Sequence, residues 1–170
     1  MLDFMIVALP RSGTAWTANF LTTERSLCWH EPLSEHDLAD LDQMKMSGLF
    51  GIADTQLSLF EPEELNAHPA KKLIIHRDFA QIASSLNALS LAPFDDALKH
   101  LQSCDERMYD IEGWHIPYPA LFNADAFKPG YEWLTNMQFD RARHAVLKSL
   151  NVQNKVMIQK VQQAVEALHG

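Results

Sequence analysis

Cysteines and long apolar runs are both scarce in this chain of 170 residues. The two cysteines, Cys28 and Cys104, lie far apart, so neither a disulfide framework nor a cysteine-rich metal site is expected. No window holds the roughly 18 consecutive apolar residues that indicate a membrane span. The apolar run at 4–9 is too short for a signal peptide, and no basic residue precedes it. These absences predict a cytoplasmic protein with no membrane partner.

Basic residues are also in the minority, with 14 Lys and Arg against 22 Asp and Glu and a net charge of −8. Nucleic-acid binding needs a basic face, so no nucleic-acid partner is expected. A small anionic ligand is still compatible with this charge, because a few arginines and a helix N-terminus dominate the field at close range. The length fits a single domain spanning 1–170.

Apolar segments alternate along the chain with segments of helical periodicity. The pattern predicts an α/β fold of three layers, a mainly parallel sheet flanked by helices, with a helical C-terminal part. Strands are predicted at 4–9, 26–30, 49–53, 73–76 and 114–118, and helices at 12–23, 38–48, from 61, at 78–89 and from 93.

The C-terminal part is predicted to contain two helices. One begins at Pro129-Gly130, and the other ends the chain with an apolar stripe that fits either closure of the core or the seam of a homodimer. The inward residues are expected to be Phe139, Val146, Leu147 and Leu150 in the first of these, and Ile158, Val161, Val165 and Leu168 in the second.

The first strand leads directly into the short loop Pro10-Arg11-Ser12-Gly13-Thr14. Gly13 lets the backbone approach an anion closely, and the first amides of the following helix have no partner within it. Arg11 adds a permanent charge with a fork of donors for phosphate or sulfate oxygens. Ser12 and Thr14 add hydroxyls, although either also suits a simple helix cap. A phosphate-binding loop is expected, and a strand-to-helix turn without a ligand is the alternative.

The loop pattern of nucleoside triphosphatases is absent. No Gly-x-x-x-x-Gly-Lys-Ser/Thr segment occurs, so the lysine and the Mg²⁺-binding hydroxyl of that loop have no counterpart. In nucleoside triphosphatases an acidic residue also ends a later strand. The nearest equivalent here is Asp54, which follows the apolar segment 49–53. A P-loop-type kinase of a small metabolite is therefore disfavoured and is kept as a rival function.

Residues 10–16, Pro-Arg-Ser-Gly-Thr-Ala-Trp, resemble the 5′-phosphosulfate loop of sulfotransferases that use 3′-phosphoadenosine 5′-phosphosulfate (PAPS), usually Pro-[Lys/Arg]-Ser-Gly-Thr-Thr-Trp. Residues 73–85 resemble the 3′-phosphate motif of that family, in which an Arg closes a strand and a Ser follows eight residues later. Arg77 and Ser85 match that spacing. The resemblance covers roughly the first ninety residues and implies a P-loop-like fold of the sulfotransferase type.

The resemblance also implies an activity and a set of ligand contacts. Such an enzyme moves a sulfuryl group from PAPS to a hydroxyl or amine, here of a small or carbohydrate-like acceptor, and releases adenosine 3′,5′-bisphosphate. By the same resemblance, Arg11, Ser12, Gly13 and Thr14 would hold the 5′-phosphosulfate, Trp16 would stack on the adenine, and Arg77 with Ser85 would hold the 3′-phosphate.

Three of these residues have structural interpretations as well. Trp16 shares a helical stripe with Phe20 and would also fit a core. Ser85 lies beside an apolar helix face, where a small residue permits close packing. Arg77 is costly at the end of an apolar strand unless its charge is paired, and Asp78 would be the partner in a structural ion pair.

Sulfuryl transfer requires positive charge near the bridging oxygen and a base for the acceptor proton. Arg11 stands where many relatives have Lys and is expected to supply that charge. The family takes its base, His or Glu, from the region that corresponds here to the loop after the second strand. Glu31 is the expected base and His30 the second choice, and a solvated loop acid is the alternative for Glu31. As the residue before Pro32, Glu31 is expected to be extended.

The chain departs from the family pattern at two places. Ala15 replaces a Thr of the loop, which removes one donor. The C-terminal Arg-Lys-Gly segment that clasps the 3′-phosphate is missing; Arg141 or Arg143 would substitute for it, or both belong to a solvated helix face. No metal is expected, because no three ligands have convincing spacing. A non-catalytic nucleotide-binding module on the same fold is the second rival.

Overall fold

The computed structural model describes residues 1–87 and 94–150. Its strands are β1 (Phe4–Ala8), β2 (Ser26–His30), β3 (Leu49–Asp54), β4 (Lys71–His76) and β5 (Trp114–Pro117). They form one sheet in the order β2-β3-β1-β4-β5, in which every neighbouring pair is parallel. The predicted α/β class with a parallel sheet is confirmed.

Within the described ranges, five helices lie between strands and two follow β5. They are α1 (Thr14–Leu21), α2 (Leu38–Gln43), α3 (Pro62–Ala67), α4 (Phe79–Asn87), α5 (Phe94–Met108), α6 (Ala124–Thr135) and α7 (Arg141–Ser149), with 3₁₀ turns at Pro32–Ser34, Thr55–Leu59 and Tyr118–Phe122. The start of α3 is fixed by a capping box between Glu61 and Glu64, with Pro62 in the first turn, as its sequence predicts.

Strand β1 lies at the centre of the sheet, between β3 and β4, and its residues are completely buried. Alternate side chains face two separate cores, as the two-residue period of a strand requires. Phe4 and Ile6 pack with residues of α1 and α6, whereas Met5 and Val7 pack with residues of α2, α3, α4 and α5. Helices therefore cover both faces, and this double cover explains the unbroken apolar run of β1.

Two details of the C-terminal prediction are wrong. Helix α6 begins at Ala124 rather than at Pro129-Gly130, because the side chain of Asn123 caps it by accepting from the amides of Asp125 and Ala126. The expected inward residues Val146, in α7, and Leu150, directly after it, are 58% and 36% exposed. Helical periodicity identifies an apolar stripe, but it does not determine what covers that stripe.

The predicted last helix, with its four inward residues between Ile158 and Leu168, lies outside the described residues. The two cysteines are free and buried. Among the helices that the structure describes, none has the length and apolar character needed to cross a membrane.

Candidate functional site

The loop at 10–13 lies at the carboxyl end of β1, the strand that β3 and β4 flank. Because all strands are parallel, the ends of β2, β3, β4 and β5 lie on the same edge of the sheet. Ligands of open parallel sheets bind at this edge. Both predicted motifs therefore open onto one side of the molecule.

The loop requires left-handed backbone at two positions. Arg11 has φ 66° and Gly13 has φ 90°, a region that glycine adopts without a steric penalty. A Cβ atom at Gly13 would lie 2.8 Å from Cδ1 of Leu121 and 3.2 Å from Cε2 of Tyr118, so this position has no room for a side chain. No side chain among the described residues caps α1 at Gly13. The first amides of α1 are therefore available to an anion.

The two hydroxyl residues of the loop differ in their placement. Ser12 is fully buried, its amide donates to the carbonyl of Leu9 at 3.2 Å, and its hydroxyl has no partner within the described ranges. Thr14 borders the cleft beside the loop, with Oγ1 3.2 Å from Nε2 of His30 and 3.5 Å from Oε1 of Glu31. Thr14 is thus the hydroxyl that connects the loop to the predicted base.

An open cleft of about 250 Å³ separates the loop from the end of β2. Its charged and titratable members are Arg11, His30 and Glu31, and Thr55, the residue after β3, also lines it. The remaining lining residues are Pro10, Gly13, Thr14 and Ala15. Sequence motifs predicted all of these except Thr55.

Glu31 is not extended, contrary to expectation. It has φ 55° and ψ 42°, a left-handed conformation that is strained for a residue with a side chain. Its carboxylate accepts from the Thr55 amide at 3.3 Å and from the Thr55 hydroxyl at 3.0 Å, and its own amide donates to the carbonyl of Ala53 at 3.0 Å. These bonds across β2 and β3 overcome the local preference of a residue before proline, and they aim the carboxylate at the loop.

The pKa of Glu31 is raised to about 7, mainly by burial and also by the negative charge of Asp54, against the hydrogen bonds from Thr55, which lower it. Asp54 is completely buried, with both oxygens occupied by the amides of Leu33 at 2.7 Å and Gln56 at 2.8 Å. Glu31 therefore exchanges its proton near neutral pH, the range in which a general base works best.

His30 is the second choice for the base. Its Nε2 atom lies 3.6 Å from Oε1 of Glu31. Burial lowers the pKa of His30, and the charge of Asp54 opposes that effect. The imidazole is thus less readily protonated than an exposed histidine, and it contacts the same Thr14 hydroxyl as Glu31. The two predicted bases lie together on one wall of the cleft.

Arg77 extends from the end of β4 back to the loop at 10–13. Its Nη1 donates to the carbonyl of Arg11, and its guanidinium carbon lies 4.2 Å from the ring centroid of Tyr118. Nε of Arg77 is buried without a hydrogen-bond partner among the residues described. The alternative partner Asp78 instead caps α4 by accepting from the amide of Gln81 at 3.1 Å. No structural ion pair between Arg77 and Asp78 is present in the described part of the chain.

The two motifs meet through Arg11. Its Nε donates to the Ser85 hydroxyl at 3.0 Å, while its carbonyl accepts from Arg77. A second, more open cleft adjoins this contact, lined by Arg77, Ala80, Gln81, Ser84 and Ser85. Residues separated by 66 and 74 positions in the chain are therefore in direct contact.

Trp16 lies in the core rather than on the wall of either cleft. Its side chain is 3% exposed and stacks on Phe20 with ring centroids 5.5 Å apart, and Phe122, Phe127 and His144 pack around it edge-on. This arrangement matches the core interpretation of the Trp16–Phe20 stripe. Stacking of Trp16 on an adenine stays a prediction, and it would require this cluster to open.

Arg141 and Arg143 do not lie near the phosphate loop. Arg143 donates to three carbonyls at the C-terminal end of α1, those of Asn19 at 2.5 Å, Thr22 at 2.6 Å and Phe20 at 3.2 Å. It thus satisfies carbonyls that the end of a helix leaves unpaired, at the opposite end of α1 from the loop. Arg141 pairs with Asp125 on the surface. Neither replaces the missing 3′-phosphate clasp.

Replacing Arg143 by Met should lower the free energy of unfolding by about 1.5–3 kcal/mol, the range for hydrogen bonds made by a charged group. Arg141→Met is the matched control, because its ion pair with Asp125 is exposed to solvent and contributes little to stability. Urea unfolding of both variants measures the difference. Equal losses in the two variants would contradict the capping role.

Three residues with defined contacts at the site were not assigned their roles from sequence: Asp54, Thr55 and Tyr118. Asp54 and Thr55 stand at the end of an apolar strand, a position that could have indicated them. Tyr118 follows β5 in the same way. Within residues 1–87 and 94–150, no group of three His, Cys, Asp or Glu side chains is arranged to hold a metal ion.

A scan against protein-family models finds no family that matches this chain, and a search of curated proteins finds no significant match. Support for a function therefore comes from the sequence motifs and the geometry of the site.

Proposed function

We propose that this protein is a PAPS-dependent sulfotransferase. It would transfer a sulfuryl group from PAPS to a hydroxyl or amine of an acceptor and release adenosine 3′,5′-bisphosphate. The observation that supports this most strongly is the contact between the two motifs, in which Arg11 bonds to Ser85 and Arg77 bonds to the carbonyl of Arg11. A ligand with two separated phosphate groups needs two such anion sites side by side.

The phosphate loop has the features that a phosphosulfate group requires. The uncapped amides of α1 and the absence of a Cβ at Gly13 allow close approach of an anion to the backbone. Arg11 borders the cleft and is the nearest permanent positive charge to those amides among the lining residues. Its guanidinium would neutralise negative charge that develops on the bridging oxygen as the sulfur–oxygen bond breaks.

The second anion site would be built by Arg77 and Ser85. The buried and unpartnered Nε of Arg77 is a donor that a phosphate oxygen would satisfy. Because Arg77 forms no ion pair in the described part of the chain, its charge is available to a ligand. A buried donor and an uncompensated charge fit a bound 3′-phosphate better than a purely structural role.

Glu31 would be the general base. The acceptor oxygen or nitrogen forms the new bond to sulfur, the bond between sulfur and the bridging oxygen breaks, and its electron pair leaves with the bisphosphate. Glu31 takes the acceptor proton, which it can do only as a carboxylate. Its pKa of about 7 leaves a substantial fraction in that form at neutral pH.

Replacing Arg77 by Ala should weaken binding of adenosine 3′,5′-bisphosphate by about 1.5–3 kcal/mol, the contribution of a charge-assisted contact. Titration calorimetry on the wild type and the variant measures this change. Arg25→Ala is the control, since Arg25 is exposed and lines a pocket at the other end of α1. Equal affinity of the wild type and Arg77→Ala would remove the 3′-phosphate assignment.

The two rival functions give different results. A small-metabolite kinase would be stabilised against heat by ATP with Mg²⁺ more than by adenosine 3′,5′-bisphosphate. Asp54 argues against that rival, because backbone amides occupy both of its oxygens. A non-catalytic module would bind the bisphosphate but transfer no sulfate to any acceptor.

A further inference from the structure

Tyr118 occupies a position between the two anion sites. In the register of β4 and β5, His76 lies opposite Pro117. Arg77 is therefore the next residue after β4, and Tyr118 is the next residue after β5. Tyr118 also begins the 3₁₀ turn Tyr118–Phe122, which turns the chain across the end of the sheet. The topology therefore brings its ring to the end of β4.

The Tyr118 ring contacts both halves of the site. One part of it lies against the loop, where Cε2 would be 3.2 Å from a Cβ atom built at Gly13. The Arg77 guanidinium carbon lies 4.2 Å from the ring centroid, within the range of a cation–π interaction. Phe122 supports the ring edge-on, with centroids 5.2 Å apart. The ring thus contacts both the loop and Arg77.

We infer that Tyr118 is a positioning residue that holds the Arg77 guanidinium at the phosphate loop and thereby sets selectivity for nucleotides with a second phosphate. This inference rests on the proposed function. Arginine has many rotamers, and fixing one of them costs conformational entropy. The ring and the Arg11 carbonyl hold Arg77 before a ligand arrives, so this cost is met in the free protein rather than on binding.

A graded substitution separates this role from simple packing. The series of variants begins with Tyr118→Phe and continues with mono-, di- and trifluorophenylalanine at the same position. These side chains preserve the shape of the ring and progressively weaken its attraction for a cation. Calorimetry gives the affinity of each protein for adenosine 3′,5′-bisphosphate and for 5′-AMP, which lacks the second phosphate. Trp133→Leu is the matched control, because it removes the ring of the Lys71–Trp133 cation–π contact, which lies at the opposite end of β4 from Arg77.

The ratio of the two affinities should fall stepwise with fluorination, by about tenfold in total for a partly desolvated cation–π contact. Affinity for 5′-AMP should change by less than about twofold, since that ligand does not need Arg77. Tyr118→Phe and Trp133→Leu should both keep the wild-type ratio.

Two contrary results have different meanings. A wild-type protein that prefers the bisphosphate, with a ratio that stays constant along the fluorinated series, overturns the inference about Tyr118 alone. A wild-type protein that binds both nucleotides equally overturns the proposed function, and the selectivity role of Tyr118 with it.

Discussion

Glu31→Gln should lower the rate of sulfuryl transfer by about 10²–10⁴-fold, the usual contribution of a positioned general base. The substitution keeps an oxygen that can accept from the Thr55 amide and hydroxyl, so the loop geometry should survive. Only the ability to take a proton is lost. Steady-state kinetics with PAPS and a panel of alcohol and amine acceptors measures the effect.

The pH dependence of the wild-type rate provides a second readout of the same residue. The base acts as a carboxylate, so the rate should rise with pH, reach half its maximum near pH 7 and then level off. This acidic limb should disappear in Glu31→Gln. A rate that is independent of pH between 5 and 9 in the wild type would argue against Glu31.

Stability should respond to pH in the opposite direction. The folded-state pKa of Glu31 lies near 7, above its ordinary value of 4.5, so the folded protein binds the extra proton between these values. The Glu31 contribution to stability is therefore largest at low pH and declines as pH rises from about 4.5 to about 7. Glu31→Gln should remove this decline in stability with pH. The variant should therefore lose rate at neutral pH without losing stability, which distinguishes a catalytic defect from a folding defect.

His30→Asn is the matched control for the assignment of the base. It removes the neighbouring imidazole from the same cleft and should reduce the rate much less than Glu31→Gln does. The reverse order of effects would identify His30 as the base and leave Glu31 as a residue that orients it.

Trp16→Ala should lower the free energy of unfolding by about 3–5 kcal/mol, the range for removing a large aromatic side chain from a packed core. Trp16 is 3% exposed, and it contacts Phe20, Phe122, Phe127 and His144. These rigid rings cannot easily move in to fill the cavity that the substitution leaves. Denaturant unfolding followed by circular dichroism measures the loss.

Trp16→Phe distinguishes the core from the nucleotide site. It retains most of the aromatic packing. A ring that stays in the core makes no ligand contact, and the affinity for adenosine 3′,5′-bisphosphate would then be within about twofold of wild type. A stable Trp16→Phe protein with at least tenfold weaker binding would instead show that the ring reaches the adenine.

Strand positions were predictable because the central strands are covered on both faces and so are continuous apolar runs. The predicted strands at 4–9 and 49–53 each differ by one residue from the central strands β1 and β3. The start of α6 was missed because Pro129-Gly130 resembles a helix break, whereas Asn123 as a cap, with Asp125 in the first turn, was the decisive local signal. Gly130 fits inside the helix because Trp114 packs directly against it.

The site was predictable only as far as local motifs extend. The loop and the predicted base were identified from short segments, and the structure brings Thr14, His30 and Glu31 together. The left-handed backbone of Glu31 was not predictable, because it depends on Thr55, 24 residues away. The contact of Tyr118 with Arg77 likewise depends on the register of β4 and β5, which local patterns do not encode.

The anchoring of the loop at both ends has a consequence for recognition. The loop follows β1, whose side chains are buried in two cores. It leads into α1, whose C-terminal carbonyls accept hydrogen bonds from Arg143 of α7. Such a loop behaves as a rigid template rather than as a closing flap. An arriving anion would meet amides already in place, so discrimination between ligands would depend on their shape and charge spacing rather than on how well each one reorganises the chain.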